Sequence, residues 1–389
     1  GIDFSKISSD TNGKGVYIRS GTENDTYPIY YYRGAVDNNN VLFGGFCWKM
    51  VRTTSTGGTK LIYNGEPTGT NNDQCANTTG TSTQLPSTSK FNNSSISPAD
   101  AGYMYGTRYA YSSATGTGWY YAPDVTYSNG TYTLVSKDSY NVETKSTINE
   151  SNLDYHHYTC GSSTQTTCNE VRYVYNVSSS TAYYITLTNG KKVEDALDEM
   201  LTNTTDSTIK TVIETWYANN MIAYTIELED TPYCNDRSIS SKGAWNPLGG
   251  RAIAGGNNTQ YYLKFENYDR AYPSFACNVN DAFTVSTGTG NGKLTYPTGL
   301  LTLDEIRLAG GKSSIVNSTY YLYTNNSWWS GSPCYFTGNA TFVYTTSSQI
   351  GIGVGTAGGN SGVRPAVSLK AGTKIARSEE RRVGKECRS

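Results

Sequence analysis

The sequence predicts an α+β fold, a twisted antiparallel sheet with flanking helices and long loops. Three observations carry this. Tyr and Thr, which suit strands, recur in short runs broken by Gly, Asn and Ser, which suit turns; the chain holds 34 Tyr and 40 Gly. Helical spacing of apolar residues occurs in only a few places. Strand-like and helix-like segments are segregated along the chain rather than alternating, which disfavours a parallel α/β sheet.

Taken in order, Lys14–Arg19 and Ile29–Val36 read as strands, and Asn38–Asn40 as a turn. Val41–Arg52 and Lys60–Tyr63 read as a hairpin across Thr53–Thr59. Residues 65–100 are rich in Asn, Thr, Ser and Gly and read as a long loop, the start of an insertion running to about 150. Strands are expected at 103–111 and 118–121 and around the Ser128-Asn129-Gly130 turn, and Val171–Val177 is expected to pair with Ala182–Leu187. Val193, Ala196, Leu197, Met200 and Leu201 then fall at helical spacing, as do Ile209, Val212, Ile213, Trp216 and Tyr217 after a cap at Asp206 or Ser207. Thr302-Leu-Asp-Glu305 is the signature of a capping box, with Gly310-Gly311 ending that helix. Tyr320–Tyr323, Trp328-Trp329, Ala340–Tyr344 and Val363–Leu369 close the β-rich part.

Residues 377–389 (Arg-Ser-Glu-Glu-Arg-Arg-Val-Gly-Lys-Glu-Cys-Arg-Ser) read as the in-frame translation of a sequencing adapter and are set aside as a non-native tail. Removing them leaves 26 basic against 29 acidic residues, a net charge near −3. Charged residues make up only 16% of the chain. Few cations and many tyrosines do not suit a phosphate backbone, so nucleic acid is not an expected partner. No run of apolar residues is long enough for a transmembrane helix.

Seven cysteines remain. Cys160 and Cys168 are close enough to close a small polar loop, and Cys47 with Cys75 and Cys234 with Cys277 are partners by position, which leaves Cys334 over. Connectivity does not follow from sequence, and seven buried thiols are the alternative. Disulfides would place the protein outside the cytoplasm.

A family comes into view in Val41–Arg52, Ser207–Tyr217, Tyr233-Cys-Asn-Asp-Arg237, Leu294–Glu305 and Gly362-Val-Arg-Pro-Ala-Val-Ser-Leu369. Together they resemble a domain of gut Firmicutes surface proteins related to the formylglycine-generating, sulfatase-modifying-factor branch of the C-type lectin fold. The resemblance implies a C-type lectin-like domain over 41–376 preceded by a β segment at 1–40. It also implies ligand-facing loops. Formylglycine-generating enzymes hold copper with a close cysteine pair near the C-terminal end, where this chain has only Cys334. No cofactor and no metal site are therefore expected.

His156, His157, Cys160 and Cys168 have ligand types that zinc accepts, but adjacent histidines on a strand point to opposite faces. Gly359-Asn-Ser361-Gly362 with His157 resembles a serine-protease pattern in a chain where Gly and Ser are common. Glu227, Glu229 and Asp230 are expected to face water. Gly351–Gly355 lacks the third spaced glycine of a dinucleotide fingerprint. No catalytic residue is assigned. Trp328, Trp329, Trp245, Tyr335 and Arg237 are the expected ligand contacts, on a recognition face built from loops 234–290 and 325–360, while Arg364 is expected to be structural. The expected function is an extracellular binding or adhesion module for a glycan or protein. A divergent formylglycine-generating-type enzyme and an architectural surface repeat are the alternatives.

Overall fold

The computed structural model describes residues 1–19, 28–75, 80–108, 198–238, 259–262, 273–337 and 340–375, together with short strands between 112 and 186. Period-two burial marks its first strands. In Ile29–Arg33 (β2), Ile29, Tyr31 and Arg33 point inward while Tyr30 is exposed. Gly15–Arg19 (β1) pairs with it antiparallel, Tyr17 opposite Tyr31. The N-terminal segment belongs to the main sheet, because Tyr31 of β2 pairs with Arg52.

Val41–Arg52, expected as one arm of a hairpin, is itself folded in two. Asn40–Phe43 (β3) and Phe46–Thr53 (β4) meet across Gly44-Gly45, with Phe43 opposite Phe46. Gly44 and Gly45 have φ of 60° and 81°, left-handed values that a two-residue hairpin loop demands and that glycine adopts without a Cβ penalty. Thr59–Tyr63 (β5) then returns beside β4, as expected, with Trp48 opposite Tyr63. Ala366–Leu369 (β10) closes the six-stranded antiparallel sheet in the order β1-β2-β4-β5-β10, with β3 on β4.

Two helices flank this sheet. Thr208–Asn220 (α1) starts at Ser207, whose hydroxyl accepts from the Lys210 amide. It buries Ile209, Ile213 and Tyr217 completely, worth about 2 kcal/mol each. Trp216 of α1 packs on Trp48 and Tyr63. Leu303–Ala309 (α2) has the full capping box of Thr302 and Glu305 and stops at Gly310, φ 123°. It presents Glu305 to Lys60, the β5 residue whose side chain leaves the face opposite to Leu61 and Tyr63. Of the first expected helix, only 198–201 is described, as one helical turn with Met200 buried.

A second antiparallel sheet joins Thr259–Tyr261 (β6), Trp329–Thr337 (β7), Ala340–Ser347 (β8) and Gly351–Thr356 (β9) in that order. The register of β7 shifts on either side of Pro333, the position where a residue without an N–H is tolerated. A seven-stranded sheet lies within 112–186; in it 167–176 pairs with 181–186, the pair read from the sequence. The stretch from 65 onward is more than a loop, because Leu85, Phe91, Ala101 and Tyr103 join the same core as the main sheet and both helices.

Disulfides join Cys47 to Cys75 and Cys234 to Cys277, and Cys334 is a buried free thiol. Cys160 and Cys168 face each other in the strand register. The two bridges close chain loops of 28 and 43 residues. Replacing either pair by serine should cost about 3–4 kcal/mol on the chain-entropy account, read as a lower urea midpoint with a slope equal to or steeper than that of the intact chain. A loss below about 1 kcal/mol for both pairs would show that these links constrain little.

Candidate functional site

The sequence points to the aromatic doublet first. The structure places Trp328 and Trp329 in the core, each 1% exposed. Trp329 lies edge-to-face on Phe91 and donates its indole N–H to the Ser89 carbonyl at 2.7 Å. Trp328 lies under the Arg364 guanidinium, 5.0 Å from the ring centroid. Neither indole is presented to a ligand.

Arg237 is also internal. Its Nε and Nη2 donate to Asp281 at 2.8 and 2.6 Å, Nη1 to the Met104 carbonyl and Nη2 to Asn203. Burial raises the Asp281 pKa and the Arg237 charge pulls against it. The pair ties four distant segments together and offers nothing outward. Tyr335 is half-buried on Phe342, ring centroids 4.5 Å apart. Trp245 and most of the loop 234–290 lie outside the described residues, as do His156 and the side chains of His157, Cys160 and Cys168.

The acidic residues expected in water are partly engaged. Asp230 accepts from the Val285 and Ser286 amides and the Ser286 hydroxyl, and Glu229 accepts from Thr56. Ser361 is buried in a two-residue strand paired with Ser89. Burial pushes the Cys334 thiol up, which makes it a poor nucleophile and a poor metal ligand at neutral pH. Among the described residues no three His, Cys, Asp or Glu side chains converge as a metal site. Arg364 is structural as expected. It is fully buried, donates to the Tyr63 carbonyl at 2.9 Å, Asn64 at 2.9 Å and the Leu322 carbonyl at 3.2 Å, and its pKa is pushed down to about 10 by burial.

A charge cluster joins Arg52 of β4 and Lys60 of β5 to α2. Glu305 Oε1 accepts from Arg52 Nε at 2.7 Å and Lys60 Nζ at 2.9 Å, while Oε2 accepts from the Thr302 amide at 2.8 Å. The Tyr233 ring sits 4.8 Å from the Lys60 ammonium. Burial would raise the Glu305 pKa, but Lys60, Arg52 and the Thr302 amide hold it at about 2. Burial pushes Lys60 down to about 8 against the pull of Glu305. Both groups are therefore charged across the acid-to-neutral range. Lys60 and Glu305 are each 1% exposed, so the cluster has no face for a substrate.

Surface aromatics collect elsewhere, at the tip of the β3–β4 hairpin. Phe46 packs on Tyr63 at 5.5 Å and on Trp216 at 5.4 Å. Phe43 packs edge-on against Tyr224 at 5.5 Å. Tyr224 lies in the 3-10 helix Ile222–Glu227, every residue of which is at least partly exposed. Phe43, Phe46 and Trp216 are half-buried. They rest on Trp48, which is fully buried and donates its indole N–H to the Phe43 carbonyl. Cys47–Cys75 fastens the chain beside Phe46. Sequence reasoning read Trp216 as core and passed over Phe43, Phe46 and Tyr224; the available signal was the Gly44-Gly45 loop between two aromatics.

A small cleft of about 10 Å³, room for little more than a water molecule, is lined by Lys312, Tyr320, Tyr323, Asn326, Thr346 and Gly351. Several of its polar groups serve the fold: Thr346 Oγ1 donates to the Asn326 carbonyl and Tyr323 to Asn325. No helix among the described residues is long and apolar enough to cross a membrane. In comparisons with known proteins, no family model, curated protein or solved structure matches this chain.

Removing the Glu305 charge leaves two buried cations uncompensated, so Glu305→Gln should cost about 3–5 kcal/mol, and Lys60→Met, which keeps the Arg52 pair, should cost clearly less. The depressed Glu305 pKa contributes stability that is present above its unfolded value of about 4.3 and is lost as pH falls toward 2. Lys60, depressed to about 8, counts against folding below that pH, and stability rises as pH climbs from about 8 toward its unfolded value near 10.4, because over that range only the unfolded chain still binds the proton. Urea titrations between pH 2 and 10 check both; equal losses for the two variants would contradict this division of roles.

Proposed function

We propose that the chain is an extracellular binding module that holds its ligand on the aromatic shelf formed by Phe43, Phe46, Trp216 and Tyr224. The observation that carries this is the continuity of the shelf with the buried rings beneath it, Trp48 and Tyr63. Rings fixed from below present apolar area and polar edges at little entropic cost, which suits sugars and protein side chains alike. Two disulfides support a location outside the cytoplasm. The motifs from Val41 to Leu369 support a C-type lectin-like arrangement of the α+β scaffold, in which a surface hairpin is a reasonable place for recognition.

A glycan array and a panel of extracellular-matrix proteins, probed with the whole chain, test this. Retention on whichever probe responds should fall about tenfold in Tyr224→Ala, with the melting temperature changed by no more than a few degrees. Unchanged retention in that variant moves recognition away from the shelf and overturns the proposal.

A further inference from the structure

The two bridges differ in how open they are. Cys47 and Cys75 are 2% and 8% exposed, whereas Cys234 and Cys277 are both half-buried. A small thiol must reach a sulfur to attack it, so exposed bridges are the labile ones. What each bridge holds also differs. Cys47–Cys75 fixes a strand of the main sheet. Cys277 ends a stretch, residues 273–277, that belongs to no strand or helix.

That stretch lies over the charge cluster on α2. The Phe275 ring sits 4.5 Å from the Arg52 guanidinium, whose side chain is 13% exposed. The other cation of the cluster, Lys60, is covered by Tyr233, the residue before Cys234. Cys234–Cys277 therefore staples one aromatic cover to the other. The two covers are held differently. Tyr233 is buried, lies opposite Phe283 in a short antiparallel strand pair and donates its hydroxyl to the Pro297 carbonyl. Phe275 is half-buried and rides on the irregular stretch. Opening the bridge thus frees the cover on Arg52 and leaves the cover on Lys60 in place.

We propose that Cys234–Cys277 is a redox-operated latch, and that its reduction by a low-molecular-weight thiol lifts residues 273–277 off Arg52 while the rest of the fold persists. One thiolate attacks a sulfur of the bridge, forming a mixed disulfide and releasing the other cysteine as a thiolate; a second thiolate then resolves the mixed disulfide. The bridge gains two electrons and two protons, and the two thiols leave joined as their own disulfide. A ring over a guanidinium is a weak contact by itself, so the covalent link is what keeps Phe275 seated. With the latch open, water reaches Arg52, still paired with Glu305, and a cation appears on a surface that the closed form covers. The latch is separate from the aromatic shelf and stands whether or not the shelf holds a ligand.

The test exposes the oxidised whole chain to graded reduced glutathione, traps free thiols with N-ethylmaleimide and maps each cysteine by peptide mass. Half-reduction of Cys234–Cys277 should need about tenfold less thiol than half-reduction of Cys47–Cys75. Equal sensitivity, or the reverse order, overturns the latch. At a concentration that opens Cys234–Cys277 and spares Cys47–Cys75, labelling of Arg52 by phenylglyoxal should rise several-fold while the near-ultraviolet circular dichroism is kept. Phe275→Ala, with both bridges intact, should label to the same degree without any thiol. Arg52 labelling that reduction leaves unchanged overturns the proposal. So does a general loss of the near-ultraviolet signal, which would make the bridge a staple of the whole fold. Labelling that rises on reduction but not in Phe275→Ala assigns the cover to another side chain and overturns it as well.

Discussion

The carboxylate of Glu305 sets the position of α2 on the main sheet. One oxygen closes the capping box with Thr302 and the other takes a cation from each of two adjacent strands, Arg52 of β4 and Lys60 of β5. The far end of the same helix is held by Arg33 of β2, whose Nη1 donates to the Arg307 and Leu308 carbonyls at 2.9 and 3.0 Å. A cation there also meets the negative end of the helix dipole. A seven-residue helix would be marginal alone, so its placement comes from these contacts and from Leu303 and Ile306 in the core. The arrangement is costly to bury, and loss of one partner leaves a charge with nothing to offset its desolvation.

The same economy explains how a chain with only 16% charged residues carries so many loops. Arg33, Arg237 and Arg364 are among its largest fully buried side chains. Each reaches main-chain carbonyls on segments far apart in sequence, Arg364 joining the Tyr63 and Leu322 carbonyls to Asn64. Carbonyls at the ends of helices and strands, such as Arg307, Leu308, Tyr63 and Met104, and in turns, such as Asn12 and Leu322, are satisfied by guanidinium forks. The exterior is then left to Tyr, Thr, Asn and Ser.

This division decides what could be read from the residues. The capping box at Thr302 and the apolar stripe of α1 were legible because their physics is local, within one or two helical turns. Gly44-Gly45 was equally local and equally explicit, and the hydrophobic run around it masked the turn. Trp328 and Trp329 were not legible as core. Aromatic faces suit ligands, so both were expected outside, yet both are covered, Trp329 by Phe91 and Trp328 by Arg364. Arg237 was unreadable for another reason: its partner Asp281 is 44 residues away, and only the tertiary fold brings them together. The shelf was missed because Trp216 lies on the margin of a stripe whose Ile209, Ile213 and Tyr217 are core, so the same spacing covers buried and half-buried positions.

The step from buried to half-buried rings bears on how the proposed shelf would bind. Trp48 is sealed, Trp216 and Phe46 are half-covered, and Tyr224 stands at the rim, yet all are linked by ring contacts of 5.4 to 6.2 Å or through Phe43. An isolated surface tyrosine would lose rotamer freedom on meeting a ligand, and that loss would count against affinity. Here the rings nearest the ligand are already ordered by packing that folding itself requires, and the disulfide at Cys47 limits motion of the hairpin that carries them. With the shelf as the proposed binding surface, stability and recognition would draw on one aromatic stack: a change that loosens Trp48 should weaken the shelf without touching it, whereas a change at Tyr224 removes contact area and leaves the fold intact.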